Sequence, residues 1–303
     1  RISSSCRASP LASTAATMAR CSASRSAKGR CSQAASATQG ACSKTPPSAA
    51  TNASRGARFR VVSAAVAAPE PQLPNSNFDF WYDAGGYQQP GESEESTIWD
   101  TANAGLAIVG GFNTAPEDLG GGDFAARMTS VAAPAFVRMA AATLYTGSFT
   151  DGFPNPSDPR SNIDFGTVFT ARPNAFRVAY RYLPGEEYLD GDGIPLPGGD
   201  QADIYVLLEK REGDQVARVG TGWFRSGDTV TDWSTIEVPI KYGELSSSDP
   251  EFEYANIRPG ETWADAGERP THITVVFSSS ALGDFFTGAI GSELWVNDFE
   301  LVY

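Results

Sequence analysis

Residues 175–183 alternate with a period of two: Phe176, Val178, Tyr180 and Tyr182 share one face, and Arg177 and Arg181 share the other. Only an extended strand with one buried face sorts apolar from charged side chains in this way. The run stops at Pro184 and Gly185, a turn signal. The same alternation returns along the chain. Ile204, Val206 and Leu208 alternate with Asp203, Tyr205 and Leu207; after the turn at Glu212, Gly213 and Asp214 come Val219, Thr221 and Trp223, which reads as a hairpin. Ile236, Val238 and Ile240 alternate with Thr235 and Glu237, and Ile273, Val275 and Phe277 with His272 and Thr274. Residues 78–83, 124–131 and 135–145 are further candidates. About ten short strands with no convincing long helix predict an all-β chain built as two packed antiparallel sheets. The Ala-rich stretch 119–144 is the place where a helix competes, and Pro134 and the alternation around it favour strands.

The last strand carries a phase change. Leu294 and Val296 share one parity, whereas Phe299, Leu301 and Tyr303 share the other. A one-residue bulge at Asn297 and Asp298 returns both sets to a common inward face and re-aims a polar side chain at the switch. The alternative is a central strand buried on both faces with no bulge.

Charge divides the chain near residue 70. Of 23 basic and 36 acidic residues, ten basic and one acidic (Glu70) fall in residues 1–70, leaving 13 basic and 35 acidic afterwards. A folded part this acidic is unsuited to nucleic acid, whose phosphates demand Lys and Arg. All four cysteines, Cys6, Cys21, Cys31 and Cys42, lie in the basic part, so residues 71–303 offer neither a disulfide nor a thiol site. Residues 1–70 are Ser/Ala/Arg-rich and lack the periodicity that a core needs; they read as a disordered segment ahead of one domain at 71–303, with an organelle transit peptide or a small disulfide-stapled module as the alternatives. No secretory signal is visible, and no stretch approaches the roughly 18 apolar residues of a spanning helix.

The residues that close the chain, SSSALGDFFTGAIGSELWVNDFELVY, together with NFDFW, LYTGSF, FGTVFTARPNAFRVAYRYLPGE, DIYVLL and DWSTIEVPI in the same order, resemble the putative carbohydrate metabolism domain family. The resemblance covers residues 75–303. It implies a jelly-roll β-sandwich like that of carbohydrate-binding modules, found on secreted or outer-membrane lipoproteins associated with glycan use, and no established catalysis. It also implies one structural Ca²⁺ between the first and last strands, held by Asp79 and Asp298 with backbone oxygens near Asn77 and Phe78. Asn297 stands where relatives have a second aspartate, and Asp79 where a Glu is common.

Sugar rings present flat C–H faces ringed by hydroxyls, so a glycan site pairs an aromatic plane with a few polar groups. Trp99 in STIWDTAN and Trp263 in GETWADAGERP sit among polar, turn-like residues and are the expected sugar platforms; Trp81, Trp223, Trp233 and Trp295 lie within strands. Arg172 and Asp284, at turns matching the family, are expected either to pair and tie two loops or to line one cleft and bind sugar hydroxyls. Asp190, Asp192 and Asp200 form a second acidic loop that reads as a solvated turn.

Catalytic alternatives are thin. The single histidine, His272, lies on a predicted strand, which leaves no His-based zinc site and no evident triad. Paired carboxylates for glycoside hydrolysis remain available among Glu186, Glu187, Asp203 and Asp284. The expectation is noncatalytic glycan binding at a secreted or cell-surface domain. A structural or adhesive module with surface-protein partners is the alternative, and a glycoside hydrolase is the third reading.

Overall fold

In the computed structural model, residues 69–303 are described apart from 109, 134–136, 151–154, 156 and 256. The cysteine-bearing stretch, read above as disordered, lies outside the described residues. In chain order the two main sheets contain β1 (Trp99–Thr101), β2 (Thr114–Gly120), β3 (Asp123–Thr129), β4 (Thr143–Phe149), β5 (Ile163–Phe165), β6 (Thr167–Val168) and β7 (Ala175–Leu183). They continue with β8 (Ala202–Glu212), β9 (Gln215–Ser226), β10 (Val230–Pro239), β11 (Lys241–Tyr242), β12 (Glu261–Trp263), β13 (His272–Ser278) and β14 (Glu293–Val302).

Strands β10, β7, β14, β3 and β2 form a five-stranded sheet in that order. The nine-stranded sheet runs β11, β9, β8, β13, β4, β1, with β12 added to β9, β6 to β13 and β5 to β4. The chain passes repeatedly from one sheet to the other, as in a jelly-roll sandwich. Every pairing among the described residues is antiparallel except β9 with β12. The described residues of 119–144 form short strands and turns with no helix, and the α-helix among the described residues is the short Asn103–Ala107.

Alternation puts the core where the sequence predicts it. Phe176, Val178, Tyr180 and Tyr182 from one sheet meet Ile204, Val206, Leu208, Ile273, Val275 and Phe277 from the other. The bulge is present. Arg177 pairs with Glu300 but Ala179 with Asn297, so β14 carries one extra residue at that point. Asp298 takes it up in the left-handed region, at φ 48°. Leu294 and Val296 before the bulge, and Phe299 and Leu301 after it, consequently enter the same core.

β8 departs from simple alternation because both its faces are covered. Ile204, Val206 and Leu208 face the main core, while Tyr205 and Leu207 join Tyr145 and Val276 in a second, smaller cluster on the outer face of the nine-stranded sheet. Ile163, Phe165 and Trp223 pack against that cluster. Gly147 lets β5 lie there: it pairs with Phe165 at φ 130°, and a Cβ at this position would collide with the Asp164 carbonyl.

Candidate functional site

The register of β8 on β9 sets two pairs side by side on that outer face, Asp203 opposite Arg225 and Tyr205 opposite Trp223. Nε and Nη2 of Arg225 each donate to a different oxygen of Asp203, both at 2.6 Å. The rings of Tyr205 and Trp223 stack with centroids 3.9 Å apart and planes 20° from parallel. Tyr254, from the loop ahead of β12, meets Trp223 edge-on at 6.1 Å, and the Arg225 guanidinium lies 4.5 Å from the Tyr254 ring centre.

Two short turns complete the arrangement. Arg160 in the turn Pro159–Asn162 donates through Nη1 to Asp284 Oδ2 at 2.7 Å; Asp284 belongs to the turn Gly283–Phe285. The same guanidinium lies 4.2 Å from the centre of the Phe165 ring. Phe285, next to Asp284, is 71% exposed.

Burial pushes the Asp203 carboxyl up, and the guanidinium of Arg225 opposes that shift. Burial likewise works against the charge on Arg225, but Asp203, with Tyr254 and Tyr188, more than offsets it and Arg225 is raised. The bidentate geometry favours the ionised pair. The face thus offers aromatic planes held beside fixed charged hydrogen-bonding groups.

Residues 72–302 match the model of a family described as the putative carbohydrate metabolism domain. The chain belongs to this family. Among solved structures it is similar to a putative glycoside hydrolase from Bacteroides thetaiotaomicron, at 24% identity over 75% of this chain and 70% of that one, with a TM-score of 0.59. A putative glycoside hydrolase from Bacteroides vulgatus is 23% identical over 75% of this chain and 96% of that one, with a TM-score of 0.58. Identities this low show a shared fold. No match is found among the curated proteins. Membership marks the chain as a carbohydrate-related domain, and no helix among the described residues is long and apolar enough to cross a membrane.

Several residues expected from sequence lie elsewhere in this carbohydrate metabolism domain. Trp99 is not in a loop: it forms β1, is 1% exposed, donates its indole N–H to the Pro74 carbonyl at 2.8 Å and packs on Phe78, Phe277 and Phe299. A ring so enclosed cannot stack on a sugar. Trp263 lies in β12, half-buried beside Arg218, on a cleft of about 270 Å³ that Lys210, Gln215, Asp265 and Glu268 also line.

Arg172 and Asp284 do not pair. Arg172 donates to the carbonyls of Ala266 and Glu268 and lies 3.9 Å from the centre of the Tyr242 ring, so it pins the loop after Trp263, whereas Asp284 belongs to Arg160 on the outer face. Asp200 is no solvated turn residue. It is buried and accepts from Ser280 Oγ, Ser292 Oγ and the amides of Ala289 and Gln201. Asp190 does cap its own turn, through the amides of Asp192 and Ile194.

Asp79 and Asp298 are brought within electrostatic reach: burial first, then Asp123 and Asp79, push the Asp298 carboxyl up. Yet the oxygens of Asp79 are engaged by Asn77 Nδ2 and the Phe124 amide, and the Phe78 carbonyl accepts from Trp81 Nε1 at 2.7 Å. Among the described residues no three acidic, His or Cys side chains converge as metal ligands. The groups as they lie do not complete the six to eight oxygens that Ca²⁺ takes.

Local sequence pattern does not single out Arg160, Tyr205, Arg225 and Tyr254. One signal was present in β8, where Tyr205 and Leu207 make the face opposite Ile204 and Val206 apolar as well.

Proposed function

We propose that the domain, at a secreted or cell-surface location, binds a glycan on the outer face of the nine-stranded sheet without cleaving it. The observation that supports this reading is the half-buried Trp223, backed by the buried Tyr205 ring and flanked by Tyr254, beside the half-buried Arg225 guanidinium that the buried Asp203 holds in place. Aromatic planes meet the C–H faces of sugar rings, and fixed charged donors and acceptors orient hydroxyls around them.

Hydrolysis asks for a carboxylic acid that donates a proton and a second carboxylate free to act as base or nucleophile. Of the carboxylates considered for such a pair, the two on this face are engaged, Asp203 by Arg225 and Asp284 by Arg160. Titrating a panel of plant, host and microbial polysaccharides while assaying reducing ends tests the reading. The expected result is saturable binding of at least one polysaccharide with no reducing sugar released. Release of sugar makes the domain a hydrolase, and absence of both binding and release leaves the structural or adhesive reading.

A further inference from the structure

Phe165 has two guanidinium groups against its ring. Arg160 lies 4.2 Å from the ring centre and Arg258 lies 5.7 Å from it. Cation–π contact fixes each planar group against the ring and leaves N–H edges to serve as donors. The two differ in how far their charge is already answered.

Arg160 gives Nη1 to Asp284 and is further held by Tyr205, and its Nη2 is shut off from solvent, so its charge is largely answered within the fold. Arg258 makes the ring contact and takes part in no ion pair among the described residues. The carboxylate nearest to it in sequence is spent, since Glu261 accepts the Arg258 backbone amide at 3.1 Å and pairs with the buried Arg218 at 2.6 Å. In a chain of net charge −13 this is an unusual place to leave positive charge unanswered. A guanidinium has donors and no acceptor, so it prefers an anionic oxygen pair to a neutral hydroxyl, which brings a proton of its own.

We propose that the bound glycan is anionic, and that Arg258, braced against Phe165 with Arg160 against the same ring, takes the carboxylate of a uronic acid or the sulfate of a sulfated sugar. This rests on the reading of the outer face as the glycan site and adds the class of sugar. A half-buried guanidinium gains more from an anion than a surface charge in bulk water, because neighbouring side chains exclude solvent.

The test uses the full chain and four probes: polygalacturonate, the same polymer with its carboxyls reduced to alcohols, a sulfated dextran and unmodified dextran. Expected are binding of polygalacturonate that weakens as salt rises and loss of binding to the reduced polymer. Arg258→Gln should weaken polyuronate binding by about tenfold or more, the loss of one charge-assisted contact, with an unchanged melting temperature, and Arg258→Lys should recover part of it. Binding of sulfated dextran but not of dextran also supports the proposal and identifies the anion as sulfate. Equal binding of the charged and neutral polymers overturns the anionic specificity while leaving glycan binding intact. Absence of binding to all four overturns the proposal, and the wider polysaccharide panel then decides separately whether the face binds glycans at all.

Discussion

Trp99→Ala lowers the stability of the domain by about 3–5 kcal/mol, the cost of removing a large buried aromatic side chain. The ring is 1% exposed and sits among Phe78, Phe277 and Phe299, with its N–H on the Pro74 carbonyl, so truncation opens a cavity and removes that hydrogen bond together. For a domain of this size each kcal/mol is worth about 2–4 °C, which predicts a fall in Tm of roughly 10 °C. Trp233→Ala is the control: that ring, on β10, is 39% exposed, and its loss should cost far less. A Trp99→Ala melt within 2–3 °C of wild type would mean that the ring is not core.

Arg225→Ala has a comparable effect with a different signature. Asp203 is 2% exposed, and without the guanidinium its charge is buried and unpaired, which costs about 3–5 kcal/mol. The pH dependence gives the cause. Burial, already the largest influence on the Asp203 carboxyl, is then no longer opposed by the guanidinium, so its folded pKa rises further above the unfolded value of about 3.9. A folded state that holds more protons than the unfolded one loses stability as pH rises through that window. The deficit of Arg225→Ala relative to wild type should therefore be largest near neutrality and shrink as pH is lowered towards about 4. Adding Asp203→Asn should restore part of the loss at pH 7, because no charge is left to bury. Denaturant unfolding at several pH values measures both, and a deficit independent of pH would show that the loss is one of packing rather than of charge.

Local pattern was enough for much of this fold. The alternation at Phe176, Val178, Tyr180 and Tyr182, and the parity change between Val296 and Phe299, depend only on which side of a pleat a residue occupies; both the strands and the bulge follow. The site was less legible because its contacts are long-range. STIWDTAN looks like a loop by composition, but Trp99 is enclosed by rings from β13 and β14, far along the chain. Turn chemistry marked Arg172 and Asp284 as strand-end residues without naming their partners, Ala266 and Glu268 for one and Arg160 for the other. Tyr205 and Trp223 meet only through the register of a hairpin whose pairing shifts by one residue at Leu208 and Glu209, which alternation alone does not reveal.

Which surface holds the glycan is the central question, and two compete: the outer face with Tyr254 and Phe285, and the cleft beside Trp263. The most direct measurement is the affinity of Tyr254→Ala, Phe285→Ala and Trp263→Ala for whichever polysaccharide the wild type binds, with a melt of each. Binding-site aromatics often carry 2 kcal/mol or more, so Tyr254→Ala or Phe285→Ala should lose most of the affinity while Trp263→Ala keeps it, all three with melts near wild type. Loss confined to Trp263→Ala would contradict the account and move the glycan to the cleft that Lys210 and Glu268 share with it.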